Sequence, residues 1–227
     1  MNDTAPRDRD TTETSLIQAV EAVILDEGFA GVGINALARR AGVDKVLIYR
    51  YFGGLSGLLT AYAEAGDFWW RVDDLLAEPL PDPDSSDALA QTLARVFERH
   101  VAFLRRHPVT LEVIAWEMSA RNELTAALES VREQRSLAVM RCLAERFGVA
   151  ESEFLAQVAP LLTLLGAAAN YLAARGRHLS VFNGLDLQSE AGWTQLCRTA
   201  EHMLAAVQLP HPSADSISPA TNLDQDP

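Results

Sequence analysis

Residues 34–52, INALARRAGVDKVLIYRYF, hold the side chains best suited to chemical recognition. Ile48 and Phe52 are four apart, so on a helix both point to one face and into a core. That leaves Lys45, Val46, Leu47, Tyr49 and Tyr51 largely outward, with Asp44 placed to cap the helix start. Two aliphatic and two aromatic side chains facing water are costly unless a partner covers them. A DNA groove does so: valine and leucine pack on thymine methyls, and tyrosine hydroxyls reach phosphate oxygens. A helical hairpin with no partner is the plainer alternative, but it leaves those four side chains unexplained. Local charge agrees with a polyanion. Residues 28–60 carry Arg39, Arg40, Lys45 and Arg50 against Asp44 alone, a net of +3 inside a chain of net charge -12.

Other chemistry is poorly supported. The histidines at 100, 107, 178, 202 and 211 have no metal-ligand spacing, so no metal is expected. His100 reads as a core-edge residue of its helix, and His107 before Pro108 as part of a helix stop. Glu112 and Glu117 flank Trp116 without a nucleophile or paired base nearby. The GFAGVG stretch lacks both a preceding strand and the spacing of a dinucleotide loop. Neither an enzymatic activity nor a cofactor is expected.

Composition narrows the class further. Acidic residues number 31 against 19 basic ones, of which 18 are arginine and Lys45 is the lone lysine. That balance excludes a uniformly basic nucleic-acid protein and a polybasic membrane anchor. At 48% hydrophobic residues, the chain can bury a real core. Cys142 and Cys197 form no close-spaced motif, and MNDTAPRDRDTTET has no apolar run, so a reduced, cytoplasmic protein is expected. Residues 154–174 carry no charge over 21 positions, long enough to span a bilayer. Gln157, Pro160, Asn170 and many alanines argue instead for a buried or partner-facing helix and for no membrane partner.

The elements that position these residues are all helical, about nine in number. Residues 1–11 read as a loose arm. Leu16, Val20, Val23 and Ile24 mark a first helix that Gly28 stops. Short helices at 34–41 and 44–51 flank a turn in which Gly42 takes φ above zero and Val43 plugs the corner. A longer helix is expected over about 56–77, then a linker at 78–87, EPLPDPDSSD. Further helices follow: one carrying Leu89 to Leu104, then 109–118, 121–147 and about 160–175, and a last one carrying Trp193 to Val207, with a loop near 176–186 and a disordered tail over 210–227. The division is therefore a helix-turn-helix domain at 12–55 and a helical regulatory and dimerisation domain at 56–209. Neither strand alternation nor an internal repeat is legible.

The segment from Leu16 to Leu59 resembles the DNA-binding domain of the TetR family of transcriptional repressors. The likeness rests on Ala19, Gly28-Phe29, Leu37-Ala38, Ala41-Gly42-Val43, Ile48-Tyr49, Tyr51-Phe52 and Leu58-Leu59. It implies that Lys45, Val46 and Leu47 meet base edges or adjacent backbone, with Asp44 beside them. Tyr49, Tyr51 and Asn35 would meet phosphates, while Arg50 flanks the groove. The chain departs from the family at Gly33, where a hydroxyl usually caps the second helix. It departs again at Leu55, where a lysine usually stands. The resemblance further implies a homodimer on a palindromic double-stranded DNA operator, released by a small effector. Candidate effector contacts are Phe68, Trp69, Phe103, Trp116, Asn170 and Tyr171, with core packing the alternative for each. Polar groups are sparse among them, so an apolar or aromatic effector is expected. Small residues Gly166, Ala169 and Ala173 and the apolar Trp193, Leu196 and Leu204 are the candidate dimer surface. The competing expectation is a protein-interaction module of the same fold that no longer binds an operator.

Overall fold

A computed structural model describes residues 6–65, 68–118 and 123–210. Helix α1 (Pro6–Glu27) buries Leu16, Ala19, Val20, Val23 and Ile24, the three- and four-residue steps of one face. It begins inside the stretch expected to be a loose arm. Proline is tolerated in a first turn, and an Arg9–Glu13 pair at 2.7 Å spans the next one. Gly28, at φ 72°, ends the helix, and a 3-10 turn (Phe29–Gly31) leads on.

Helices α2 (Ile34–Ala41) and α3 (Val46–Phe52) meet at Gly42, whose φ of 69° is the left-handed value the turn needs. Helix α4 (Leu55–Glu64) then crosses back over α1 and α3. At Gly57 a Cβ would collide with the Phe52 carbonyl oxygen, so the absent side chain sets how closely α4 approaches the end of α3.

The single helix expected over 56–77 is broken. Helix α4 stops at Glu64, and among the described residues from there to 77 the helical part is a short turn, α5 (Val72–Leu75). Phe68, Trp69 and Trp70 are all buried. Three consecutive bulky aromatics cannot share one face of a helix at 100° per residue, so leaving the helical path lets all three enter the core. The carbonyls left open at the end of α4 accept from Arg135 of α8 (Glu123–Arg146), which also reaches the Trp69 and Trp70 carbonyls.

Helix α6 (Ala88–Arg106) is the central post. Its buried stripe Leu89, Leu93, Val96, Phe97, His100, Val101 and Leu104 packs against α7 (Pro108–Glu117), α9 (Glu151–Gly176) and α10 (Glu190–Ala206). Two short strands correct the expectation of none: β1 (Val181–Phe182) pairs antiparallel with β2 (Leu185–Asp186). Asn183 and Gly184 both have positive φ, the Asn-Gly turn of a tight hairpin. Strands of two residues are too short for alternation to show. The described residues thus form an all-α fold of ten helices with one small hairpin. Residues 1–5 of the expected arm and 211–227 of the expected tail lie outside the described residues.

Candidate nucleic-acid interface and ligand cavity

Leu37 and Ala38 of α2 and Ile48 of α3 are buried, which fixes the outer face of the helix-turn-helix. The Asp44 carboxylate accepts the Val46 N–H at 2.8 Å. Asp44 is thereby the cap of α3, a role its negative charge also suits. Val46 is 61% exposed and Tyr49 55% exposed, and Leu47 and Tyr51 are half-buried. Lys45 and Asn35 are exposed, and neither side chain is engaged among the described residues. Tyr51 lies between two guanidinium groups, Arg9 at 5.2 Å and Arg50 at 6.0 Å. The role of Arg9 was missed because its segment read as an arm; a continuous α1 carries it to α3.

The local charge of +3 is smaller in space than along the chain. Arg39 pairs with Glu27 and Arg40 with Asp26, each at 3.2 Å. Both acids lie just outside the 28–60 window, so they escaped the count. Lys45 and Arg50 are the cations of this face without an ion pair among the described residues. Leu55, in the place of the family's usual lysine, is half-buried and packs on the core at the α3–α4 joint.

A cavity of about 360 Å³ lies between α6, α8 and α9 and the aromatic segment before α5. Trp69 and Asn170 line it, together with Trp70, Phe97, His100 and Arg132. His100 is buried: the Trp70 Nε1–H donates to its Nδ1 at 3.0 Å, and its Nε2 meets Asn170 Oδ1 at 3.1 Å. Accepting at Nδ1 places the proton on Nε2. Burial holds the imidazole pKa down, to about 4, with the Asn170 hydrogen bond working the other way. Arg132 stands over the Trp69 ring at 5.4 Å and pairs with Glu117 at 2.5 Å. Burial raises the Glu117 pKa, while Arg132 opposes the rise.

The other expected cavity residues lie elsewhere. Phe68 is packed on Tyr62, with ring centroids 6.0 Å apart, and its carbonyl accepts the Thr110 hydroxyl at 2.6 Å. Phe103 stacks on His107 at 3.8 Å. Trp116 lies on Phe29 at 4.4 Å, joining α7 to the 3-10 turn, and Tyr171 sits edge-on to Phe182 of the hairpin. Trp70, His100 and Arg132 were not singled out for the cavity. The Trp69-Trp70 pair and a histidine inside an apolar stripe were the available signals.

A second apolar groove runs between α9 and α10, lined by Leu164, Ala168, Ala169, Leu172, Leu196 and Met203. Leu164 is 71% exposed. Of the expected dimer residues, Leu196 is half-buried at this groove, and Ala169 and Trp193 form its floor. Ala173 and Leu204 are buried inside the protomer and have almost no surface to offer, and Gly166 lines the cavity between α6, α8 and α9 instead. Among the described residues, α9 is the helix long and apolar enough to cross a membrane by length and composition. Here it packs against α6, α7 and α8.

A helix-turn-helix with an exposed second helix, followed by a helical domain holding an apolar cavity, defines a DNA-binding regulator. Residues 16–62 match the model of the bacterial regulatory proteins, tetR family. The HTH-type transcriptional repressor SCO4008 of Streptomyces coelicolor is 29% identical over 171 residues, 74% of this chain and 81% of that protein. FadR from Bacillus subtilis, a transcriptional regulator solved in complex with stearoyl-CoA, superposes with a TM-score of 0.56 at 16% identity, covering 85% of this chain and 97% of that one. A TetR-like regulator from Rhodococcus sp. RHA1 does so with a TM-score of 0.53 at 22% identity, covering 86% and 97%. The two structural likenesses concern the fold. Residues 16–62 thus match the DNA-binding domain model of the tetR family, and the rest of the chain shares the fold of its solved members.

Proposed function

We propose that this chain is a ligand-responsive repressor that binds a palindromic operator as a homodimer and is released by a small apolar or aromatic effector. The observation that carries the reading is the outer face of α3, where Val46 and Tyr49 are exposed beside an unpaired Lys45. Helix α3 enters the major groove, with Val46 and Leu47 against base edges or methyls and Lys45 on a base edge or phosphate. Tyr49, Tyr51, Asn35 and Arg50 hold the phosphates on either side. The groove of α9 and α10 is covered by the same groove of a second copy, which pairs two reading heads as a palindrome requires.

The effector occupies the cavity beside Trp69 and Trp70. Its signal reaches DNA through Arg135, which grips the Trp69 and Trp70 carbonyls and the end of α4 with one guanidinium. Helix α4 in turn abuts α3 at Gly57. A change of a few tenths of an ångström at the aromatic segment is thus passed to the reading head, and the coupling needed is about 1–3 kcal/mol.

Selection from random duplexes at low salt, followed by footprinting, tests the reading. A palindromic consensus is the expected product. Recovery of no sequence preference would overturn operator binding and favour the protein-interaction module, a reading that the ion-paired Arg39 and Arg40 and the apolar Leu55 keep physically coherent.

A further inference from the structure

Three arginines, Arg71, Arg99 and Arg106, line a cleft between α5, the end of α6 and the start of α7. Each is held by a backbone carbonyl. Arg71 donates to Ala65 at 3.1 Å, Arg99 to Leu75 at 2.7 Å and Arg106 to Ala102 at 3.0 Å. A carbonyl fixes a guanidinium without neutralising it, and each group has further N–H donors to give. Among the described residues none of the three makes an ion pair, whereas Arg105, Arg146 and Arg177 each meet a carboxylate.

Charge sets this cleft apart from the α6–α8–α9 cavity. The acids of its lining are Asp73 and Asp74, so with His107 neutral it carries a net of +1 in a chain of -12. Asp74 is engaged at the start of α5, where its carboxylate accepts the Arg71 backbone N–H at 2.9 Å. The cavity has the opposite balance, Glu129 and Glu133 against Arg132. The ends of α6 and α7 that meet at His107 carry opposite dipole charges, which offset there. Arg99 is half-buried, and a guanidinium taken from water without a counter-ion is costly. An anionic ligand removes that cost.

Three separate forks call for an anion with more than two oxygens. A carboxylate presents two and fills one fork, whereas a phosphoryl group presents three and carries up to a second charge. The cleft volume of about 730 Å³ is that of a small-molecule site and far exceeds a phosphoryl group. Trp70, Leu75 and Phe103 supply an apolar floor for the remainder. We propose that this cleft binds a small phosphate ester, its phosphoryl group held by Arg71, Arg99 and Arg106 and its organic part on that floor. Neither operator binding nor an effector in the α6–α8–α9 cavity is needed for it.

Calorimetric titration of the full chain, at pH 8 and low, matched ionic strength, compares phenyl phosphate, inorganic phosphate and benzoate. Phenyl phosphate should bind about tenfold more tightly than benzoate, for its second charge and third oxygen, and more tightly than inorganic phosphate, which lacks the ring. Arg71→Gln and Arg106→Gln, both at exposed positions, should each weaken the ester about threefold and together about tenfold. Arg198→Gln, at an exposed position of α10 outside the cleft, should leave it unchanged. Benzoate or inorganic phosphate binding as tightly as the ester overturns the assignment, as does a double variant that binds the ester like wild type. Failure of phenyl phosphate to bind overturns the site itself and leaves the operator and cavity readings standing. If the double variant fails to fold, Arg106→Gln alone decides.

Discussion

Replacing Arg135 by alanine should loosen the joint between the cavity and the DNA-binding domain. In the folded chain one guanidinium donates to the carbonyls of Trp69 at 2.5 Å, Ala63 at 2.9 Å, Glu64 at 3.2 Å and Trp70 at 3.4 Å. Burial and the nearby Arg71 charge lower the Arg135 pKa, so these acceptors offset a real desolvation cost. Water can replace the donor at Glu64, which is exposed, but has little access at buried Ala63, Trp69 and Trp70. Three buried acceptors left open, at about 1–3 kcal/mol each and not fully additive, set the loss at about 3 kcal/mol at least. For a chain of this size that lowers the melting temperature by about 6–12 °C. Arg135→Lys keeps the charge but not the planar fork, so it should fall between. Thermal melts by circular dichroism measure the first effect. Operator binding with and without a cavity ligand measures the second, because the variant should lose most of the ligand response at temperatures where it is still folded. A melt within 2 °C of wild type, together with an undiminished ligand response, would refute the reasoning.

The other predictions concern separate sites. Lys45→Ala should weaken operator binding, by about 1–3 kcal/mol with altered preference at one position if it reads a base, or uniformly across sequences if it touches phosphate; unchanged affinity in electrophoretic titrations would remove it from the interface. Gly57→Ala puts a Cβ against the Phe52 carbonyl oxygen, so chemical denaturation should show a loss of about 1–3 kcal/mol, with operator binding reduced as α3 shifts. His100 titrates near 6.5 unfolded and about 4 folded, so the unfolded chain binds the extra proton between those values. The stability held above pH 6.5 is lost as pH falls towards 4, by about 3 kcal/mol. His100→Gln should show a pH slope shallower by that amount in denaturant melts, and parallel curves for the two proteins would contradict it. Leu164→Glu places a charge on the exposed wall of the α9–α10 groove and should yield a folded monomer by light scattering; a persisting dimer would place the interface elsewhere.

The helix-turn-helix was legible because its information is local. Helix α2 has the expected bounds, Gly42 has the left-handed φ its turn demanded, and Asp44 caps α3. Ile48 is buried where the four-residue spacing put it, and Val46 and Tyr49 are exposed. Less of the cavity could be read, because its walls come from segments up to about a hundred residues apart. Trp69 and Asn170 were among the expected residues, but a list of aromatics has no way to separate them from Phe68, Phe103 and Trp116, which close the core or join α7 to the 3-10 turn. The break after α4 was hidden for a similar reason. Hydrophobic content over 56–77 suits a helix, and only the need to bury three adjacent aromatics argues otherwise.

Charge shows where the division falls. By itself the sequence determined an acidic chain with a locally basic helix-turn-helix and a lone lysine at the tip of its second short helix, since composition and three- or four-residue spacing are properties of neighbours along the chain. Tertiary structure decided which of those charges remain available: Asp26 and Glu27 fold back onto Arg40 and Arg39, while an extended α1 brings Arg9 to Tyr51. It also decided which buried polar atoms go unpaired, Trp69 Nε1 and Glu117 Oε1 among them. Coulomb attraction and hydrogen bonding act over a few ångströms of space regardless of distance along the chain, so these partners exist only once the helices have packed.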